Sequence, residues 1–373
     1  MKKALSVLLL LAVMLFALAL PAYALEVDAS AAILIDSATG KILFQHNAAQ
    51  SLPPASTTKM LTALIALERG DLSAEITVPA DYVNVGESSI GLEPGDVYTL
   101  EQLLYAMMLR SANDAAQVVA IAIAGSEADF VDLMNEKSEE LGLTGSVWKN
   151  MHGLPEDGHL SSASDLAIIA RTAMQNATFR EIVGTQKYTI PQADGEDIVF
   201  YNRNQFLTTY DGALGIKTGH TTPSGPCLVA AASKDGMELI GVLLNCESMN
   251  SEMAEMMDYG FETFELKKLG SKGQSLGTVE VDKGWEKTVN AVLTEDVYMI
   301  VHRESSASLD PSVTLASTVD APLQEGDVVG SVIYSDGEGT IVEKQLVAEK
   351  EVIKYTLWEV LKGIFTSIFR VFL

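Results

Sequence analysis

A proline-stiffened loop runs straight into an apolar helix at Pro53-Pro54-Ala55-Ser56-Thr57-Thr58-Lys59-Met60-Leu61, and this junction constrains the chain more than any other stretch. Pro54 disfavours helix in the residue before it, while Met60, Leu61, Leu64, Ile65 and Leu67 recur at helical spacing up to Gly70, so Ser56 falls in the first turn. Lys59 follows three residues later, which puts hydroxyl and ammonium on one helical face. A serine hydroxyl is a poor nucleophile without a base against it, and a desolvated lysine beside another cation can shed its proton and serve as one. The helix N-terminus adds unpaired N–H groups and partial positive charge suited to a developing oxyanion. The same residues also fit an ordinary N-cap serine and a solvated first-turn lysine. Other segments must decide.

A chain of 373 residues that is 48% hydrophobic and 20% charged is globular and long enough for two domains. Lys2 and Lys3 precede an apolar run from Leu5 to Leu20, then Pro21 and Ala22-Tyr23-Ala24, which reads as a cleavable secretory signal over residues 1–24. An uncleaved anchor is the alternative. The formal charge of −25 becomes more negative once that lysine-bearing leader is removed, and such a surface excludes nucleic acid as a partner. Cys227 and Cys246 are the two cysteines. A hairpin turning at Asp235-Gly236 would place them diagonally on one face, where a bridge is possible, and two reduced buried thiols fit equally.

Ala31 to Ile35 and Ile42 to Phe44 are β-prone runs around Asp36-Ser37-Ala38-Thr39-Gly40, an opening hairpin. After the central helix and a Gly- and Pro-punctuated stretch, Thr99-Leu100-Glu101-Gln102 is a capping-box pattern that opens a second apolar helix. A third runs from Ala115 to Ala124 and ends at Gly125. Between them Arg110-Ser111-Ala112-Asn113-Asp114 is a polar break, either an interhelical turn or a buried polar cluster. Ser126 to Leu141 reads as an acidic covering helix, and Ser164 as the cap of another that reaches Met174. Asn150, His152, Gly153 and Leu154 form a loop in which the histidine is read as structural. Lys187 to Ile190, Ile198 to Tyr201 and Gly215 to Lys217 are strands, the last continuing into Thr218-Gly219-His220-Thr221, where Gly219 permits close approach of a ligand.

Ser56-x-x-Lys59, Ser111-x-Asn113 and Lys217-Thr218-Gly219 thus fall at a helix start, an interhelical turn and a strand, the order and setting of the serine penicillin-recognising enzymes. The chain resembles the low-molecular-mass D-alanyl-D-alanine carboxypeptidases in Leu52-Pro53-Pro54-Ala55-Ser56-Thr57-Thr58-Lys59, Ser111-Ala112-Asn113-Asp114-Ala115-Ala116 and Gly215-Ile216-Lys217-Thr218-Gly219-His220-Thr221. His152-Gly153-Leu154 and Asn202-Arg203-Asn204 also look like family positions. The resemblance implies an α/β (α+β) transpeptidase/β-lactamase-like catalytic domain over residues 25–265. It implies Ser56 as nucleophile, Lys59 as general base, and Ser111, Asn113 and Lys217 in proton relay and positioning. Lys217, Thr218, Gly219 and His220 would bind substrate, with the backbone N–H groups of Ser56 and His220 as oxyanion hole. The substrate implied is a peptidoglycan pentapeptide ending in D-Ala-D-Ala, β-lactams would be covalent inhibitors, and no metal or organic cofactor is required. In one respect the chain departs from its resemblance: no Lys or Arg occurs from Met237 through Leu266, where similar enzymes often place an arginine for the substrate carboxylate.

Gly273-Gln274-Ser275-Leu276-Gly277 matches a nucleophile-elbow pattern, but an elbow needs a strand before it and a helix after it, whereas here a Lys-rich linker leads into β alternation. Residues 266–350 read as a small all-β domain, with runs at Thr288 to Leu293, Val297 to His302, Val313 to Leu315 and Val328 to Tyr334. Over residues 351–373, Leu357, Trp358, Leu361, Ile364, Phe365, Ile368 and Phe372 form one apolar face, an amphipathic helix expected to lie on the outer face of the cytoplasmic membrane. Two other function classes are weighed. A β-lactamase would share the motifs, but no E-x-x-L-N pattern lies between Asn113 and Lys217; a non-catalytic wall-binding protein would have no need of three intact motifs.

Overall fold

A computed structural model describes residues 25–354 except 81, 83, 84, 192–196, 306–308, 338 and 340. The expected signal segment and residues 355–373 of the expected amphipathic helix lie outside the described residues.

The chain opens with the hairpin β1 (Ala31–Asp36) and β2 (Ile42–His46), enters a 3-10 turn (Ala55–Thr58), and continues as helix α1 (Lys59–Arg69). A short ribbon, β3 (Glu75–Thr77) and β4 (Val97–Thr99), leads to α2 (Leu100–Leu109), α3 (Asn113–Ala124) and α4 (Glu127–Glu140). Helices α5 (Ala163–Ala173) and α6 (Ala177–Gly184) follow, then β5 (Lys187–Ile190), β6 (Ile198–Tyr201) and the single turn α7 (Phe206–Thr209). Strands β7 (Ala213–Thr221), β8 (Gly225–Lys234) and β9 (Met237–Leu244) precede α8 (Met249–Thr263).

The main sheet has the order β2-β1-β9-β8-β7, with every pairing antiparallel. All six residues of β1 are buried, and their alternation explains why: Ala31, Ile33 and Ile35 enter a core shared with α1, α2, α3 and α5, while Ala32 and Leu34 enter a second core shared with α8. A sheet covered by helices on both faces needs apolar residues at successive positions. Helix α1 is buried continuously from Lys59 to Ala66, so it is a core helix rather than a surface one. β7 is left at the sheet's edge, facing the turn that carries Ser56.

Local signals mostly act as read. Thr99 caps α2 with the reciprocal capping box to Gln102, and Gly125 ends α3 in the left-handed conformation at φ 87. Helix α5 is capped by Ser162, whose hydroxyl accepts from Asp165 N, and not by Ser164, which lies inside the first turn. Helices α6 and α8 were not anticipated. Cys227 and Cys246 are free and buried. The expected hairpin turns at Asp235-Gly236, but Asn245 at φ 51 breaks the strand's alternation, so Cys227 packs on the α1 side of the sheet and Cys246 on the α8 side.

The β domain contains β10 (Phe264–Gly270), β11 (Ser275–Asp282), β12 (Thr288–Leu293), β13 (Val297–His302), β14 (Ser312–Leu315), β15 (Thr318–Asp320), β16 (Val328–Ser335) and β17 (Ile341–Ala348). β10 pairs with β13, and the rest form a sheet ordered β14-β16-β17-β12-β11-β15 around its own core. The segment read as a Lys-rich linker is therefore strand β10. Residues 351–354 are not helical: Val352 bridges to Leu323 and Lys354 to Gly284. Ser275 opens a strand after the turn at Gly273, which removes the nucleophile-elbow pattern. At the junction Lys41 on the β1–β2 turn reaches Asp336 at 2.6 Å, and Phe264 and Ile300 join the α8-side core.

Candidate active site

Ser56 sits in the 3-10 turn that leads into α1, so it is neither an N-cap nor part of the α-helix proper. Its turn is tightly held. Ala55 has φ 48, unusual for alanine, and its carbonyl accepts from Thr58 Oγ1 at 2.8 Å. Gly153 comes so close that a Cβ there would lie 1.9 Å from the Ala55 carbonyl oxygen, and Gly153 itself has φ 87. On the other side a Cβ on Gly219 would lie 2.9 Å from Ser56 N. The close approach that Gly219 permits is thus by the backbone of Ser56, whose N–H lies against β7.

Lys59 is fully buried, and its Nζ lies 3.0 Å from Ser56 Oγ, 2.7 Å from Asn113 Oδ1 and 2.5 Å from the His152 carbonyl oxygen. Asn113 Nδ2 donates to the Gly86 carbonyl, which fixes the orientation of the amide and leaves its oxygen toward the lysine. Burial first, then the charge of Lys217, push the Lys59 pKa far down. A neutral amine has two hydrogens and one lone pair. The two carbonyl oxygens can only accept, so they take the hydrogens, and the lone pair is left for the Ser56 hydroxyl. His152 contributes its carbonyl and not its ring, whose Nδ1 accepts from Leu154 N and whose pKa burial lowers to about 3.

The polar break between α2 and α3 is both a turn and a buried cluster. Ser111 takes φ 61 and is 6% exposed, Asn113 and Asp114 are buried, and Ser111 Oγ accepts from Lys217 Nζ at 3.1 Å. Lys217 also donates to the Thr218 carbonyl at 2.8 Å; burial, followed by the charge of Arg203, lowers its pKa to about 7. The two lysines therefore belong to adjoining networks, Lys59–Ser56–Asn113 and Lys217–Ser111.

A cleft of about 580 Å³ opens above them, lined by Ser56, Ser111, Thr218, Gly219 and His220 together with Glu87, Arg203 and Glu247. Sequence reasoning missed the wall built by residues 86–92. Asp114 organises it: its Oδ2 accepts from Ser89 Oγ and from the N–H groups of Ile90, Gly91 and Leu92. Arg203 faces this wall and donates to Ser88 Oγ at 2.8 Å. Its neighbours Asn202 and Asn204 pin the loop, Asn202 through the Val183 and Thr185 carbonyls and Asn204 by accepting from Phe206 N. Arg203 lies in the motif Asn202-Arg203-Asn204, but only the folded chain shows that it reaches the cleft. Glu247 lines the cleft in the segment where similar enzymes often carry a cation.

Residues 19–248 match the family described as D-alanyl-D-alanine carboxypeptidase, more than half of the chain. The chain belongs to that carboxypeptidase family. Residues 264–354 match the C-terminal domain of penicillin-binding protein 5, so the family's catalytic α/β domain is followed by its β-rich partner. D-alanyl-D-alanine carboxypeptidase DacF of Bacillus subtilis is 32% identical over 336 residues, 88% of this chain and 86% of the relative. DacA of Escherichia coli is 32% identical over 345 residues, 88% and 84% of the two chains. Among solved structures, a peptidoglycan synthesis regulatory factor (PBP3) from Streptococcus pneumoniae superposes with TM-score 0.77 at 32% identity, covering 88% of this chain and all of that one. The carboxypeptidase is accordingly a serine hydrolase of the penicillin-binding group.

Proposed function

We propose that the protein removes the terminal D-Ala from peptidoglycan pentapeptide stems through an acyl-enzyme on Ser56. The observation that carries this reading is the set of contacts of the buried Lys59 Nζ, 3.0 Å from Ser56 Oγ with two carbonyl oxygens, of Asn113 and His152, to accept its hydrogens. Lys59 takes the hydroxyl proton as Oγ attacks the carbonyl of the penultimate D-Ala. The oxyanion is received by the N–H groups of Ser56 and His220, with the Ser56 turn and β7 held in register by Gly219. The C–N bond then breaks. The departing amine takes a proton from the Ser111 hydroxyl, which Lys217 supports and which the proton held by Lys59 replenishes, and D-Ala leaves with Lys59 neutral again. Water attacks the acyl carbonyl as Lys59, neutral again, takes its proton, and Lys59 returns that proton to Ser56 Oγ as the shortened peptide is released.

The terminal carboxylate binds beside Thr218 and Lys217, and Arg203 supplies the cation that the segment from Met237 to Leu266 lacks. β-Lactams acylate the same hydroxyl, and their tethered leaving fragment delays water. The exported location follows from the leader sequence in residues 1–24, and membrane attachment from the apolar face of residues 357–372; among the described residues no helix is long and apolar enough to cross a membrane.

Mass spectrometry of a pentapeptide digest tests the activity: loss of one terminal D-Ala, abolished in Ser56→Ala together with covalent penicillin labelling, is expected. Labelling that persists in that variant would remove Ser56 from the role. Attachment is tested separately by liposome co-sedimentation. A chain ending before Tyr355 should stay in the supernatant, and equal pelleting of both forms would refute the anchor.

A further inference from the structure

His159 is a buried histidine that the mechanism leaves unused, and it stands directly behind the Ser56 turn. The loop between α4 and α5 carries it there. Val147 and Leu160 pair as an isolated bridge at the neck of that loop, and the Glu156 carbonyl accepts from His159 N at 3.0 Å. Trp148 meets the imidazole edge-on, with ring centroids 5.6 Å apart. A buried imidazole needs a partner for each nitrogen, and both are met: Nδ1 lies 3.1 Å from Lys149 N, and Nε2 lies 2.9 Å from Thr58 Oγ1 in the turn.

The hydrogens in this chain of contacts can run only one way. A backbone N–H donates, so Nδ1 of His159 is the accepting nitrogen, and in a neutral ring Nε2 then carries the hydrogen. The setting keeps the ring neutral, since burial first, then the charges of Lys149 and Lys59, lowers its pKa to about 4. Nε2–H therefore donates to Thr58 Oγ1, and the single hydroxyl hydrogen of Thr58 goes to the Ala55 carbonyl at 2.8 Å. That carbonyl shares one planar trans peptide with Ser56 N–H, in which the two bonds point in opposite directions. Holding the oxygen on the loop side thus aims Ser56 N–H the other way, toward Gly219 and β7. Alanine rarely adopts the φ of 48 found at Ala55, so this peptide orientation has to be held by its surroundings.

We infer that His159 is a positioning residue for the oxyanion donor: through Thr58 and the Ala55 carbonyl it orients and polarises Ser56 N–H. The inference rests on the acyl-enzyme reading and adds to it a residue outside the three motifs. His159 lines no part of the catalytic cleft, so it acts only through the turn. Hydrogen bonds that run in one direction strengthen one another, and more so in a buried setting than in water. Donation into the Ala55 oxygen draws density from the peptide and makes its N–H the better donor when charge develops on the substrate oxygen. Gly153 makes room for that oxygen, since a Cβ there would lie 1.9 Å from it, while Thr58 and His159 supply the directed bond.

Benzylpenicillin with an isotope-labelled β-lactam carbonyl tests this on the intact protein, because the ester it leaves on Ser56 reports its hydrogen bonds in the infrared: a weaker donor raises the carbonyl frequency. H159L removes both ring nitrogens, and T58V cuts the chain one step later with the histidine in place. Each should slow acylation and release of the drug alike by about tenfold, less than outright loss of an oxyanion donor costs, and each should raise the ester frequency. H159Q offers an amide oxygen to Lys149 N and an amide N–H to Thr58, so it should stay within about threefold of the wild-type rates and keep the wild-type frequency. If H159L does not fold, T58V carries the test. Wild-type rates in H159L and T58V, slow rates with an unmoved ester frequency, or H159Q as slow as H159L overturns the positioning role. Absence of any penicillin label on Ser56 of the wild-type protein overturns the acyl-enzyme reading, and the inference with it.

Discussion

Lys217→Met should make the protein more stable at neutral pH while disabling it, and the size of the gain should fall as pH rises. Lys217 is 2% exposed, and burial holds its folded pKa near 7, against the ordinary 10.5. A folded pKa below the unfolded one means that the native state resists protonation. The charge is therefore a cost at low pH, and the cost disappears as pH rises from about 7 to 10.5. With those two values the cost is about 4 kcal/mol at pH 7, about 2 kcal/mol at pH 9 and close to zero above 10.5. Methionine leaves two acceptors without their donor, Ser111 Oγ and the Thr218 carbonyl, at about 1 kcal/mol each. The variant should thus be about 2 kcal/mol more stable than wild type at pH 7, equal near pH 9, and less stable at pH 10.5. Removing the charge also relieves Lys59, whose pKa Lys217 helps to depress, which adds to the gain at the acid end. Urea unfolding at pH 7, 9 and 10.5 measures the difference directly. A constant offset between the two curves would mean that Lys217 is not a buried titrating charge, and would refute the argument.

Lys59→Arg puts a permanent cation where an amine can lose its proton, so the rate of penicillin acylation should fall by ~10²-fold or more with the fold retained. Near-normal acylation of that variant in a stopped-flow or gel assay would take the base role away from Lys59. Arg203→Ala should lower kcat/KM for a D-Ala-D-Ala peptide by roughly 10- to 100-fold through loss of a charge-assisted hydrogen bond. A substrate with an amidated C-terminus should show no difference between wild type and variant; equal losses on both substrates would show that Arg203 acts on the cleft wall through Ser88 and not on the carboxylate.

The site was legible wherever a residue's chemistry and its local structure signal coincided. Ser56 and Lys59 stand at a helix start because Pro54 disfavours an earlier one, and Ser111 stands between two helices, the second opening at Asn113, whose outer ends are marked by a capping box and by Gly125. Strands β5, β6, β12 and β13 ended where alternation and turn residues said they should. Helix α8 was missed although Met253, Met256, Met257, Gly260 and Phe261 sit at helical spacing. Strand β10 was missed for a different reason. Lys267 and Lys268 look like linker, and only pairing with β13 makes the segment a strand.

What no pattern could show is closure between distant segments. Nothing in Asp114 announces that it will gather three backbone N–H groups from residues 90–92, yet that contact builds one wall of the cleft and sets Ser88 against Arg203. His152 reads as a structural loop histidine, and the atom that meets Lys59 is its carbonyl oxygen, which every residue type possesses. That difference bears on how the nucleophile is activated. A lysine beside a serine is ordinarily charged and useless as a base; here burial first, then the charge of Lys217, makes protonation unfavourable, and the Asn113 and His152 oxygens accept the hydrogens of the amine. The proposed base is made by three segments far apart in the chain. Its strength therefore depends on the fold that joins them more than on the Ser-x-x-Lys spacing that first drew notice.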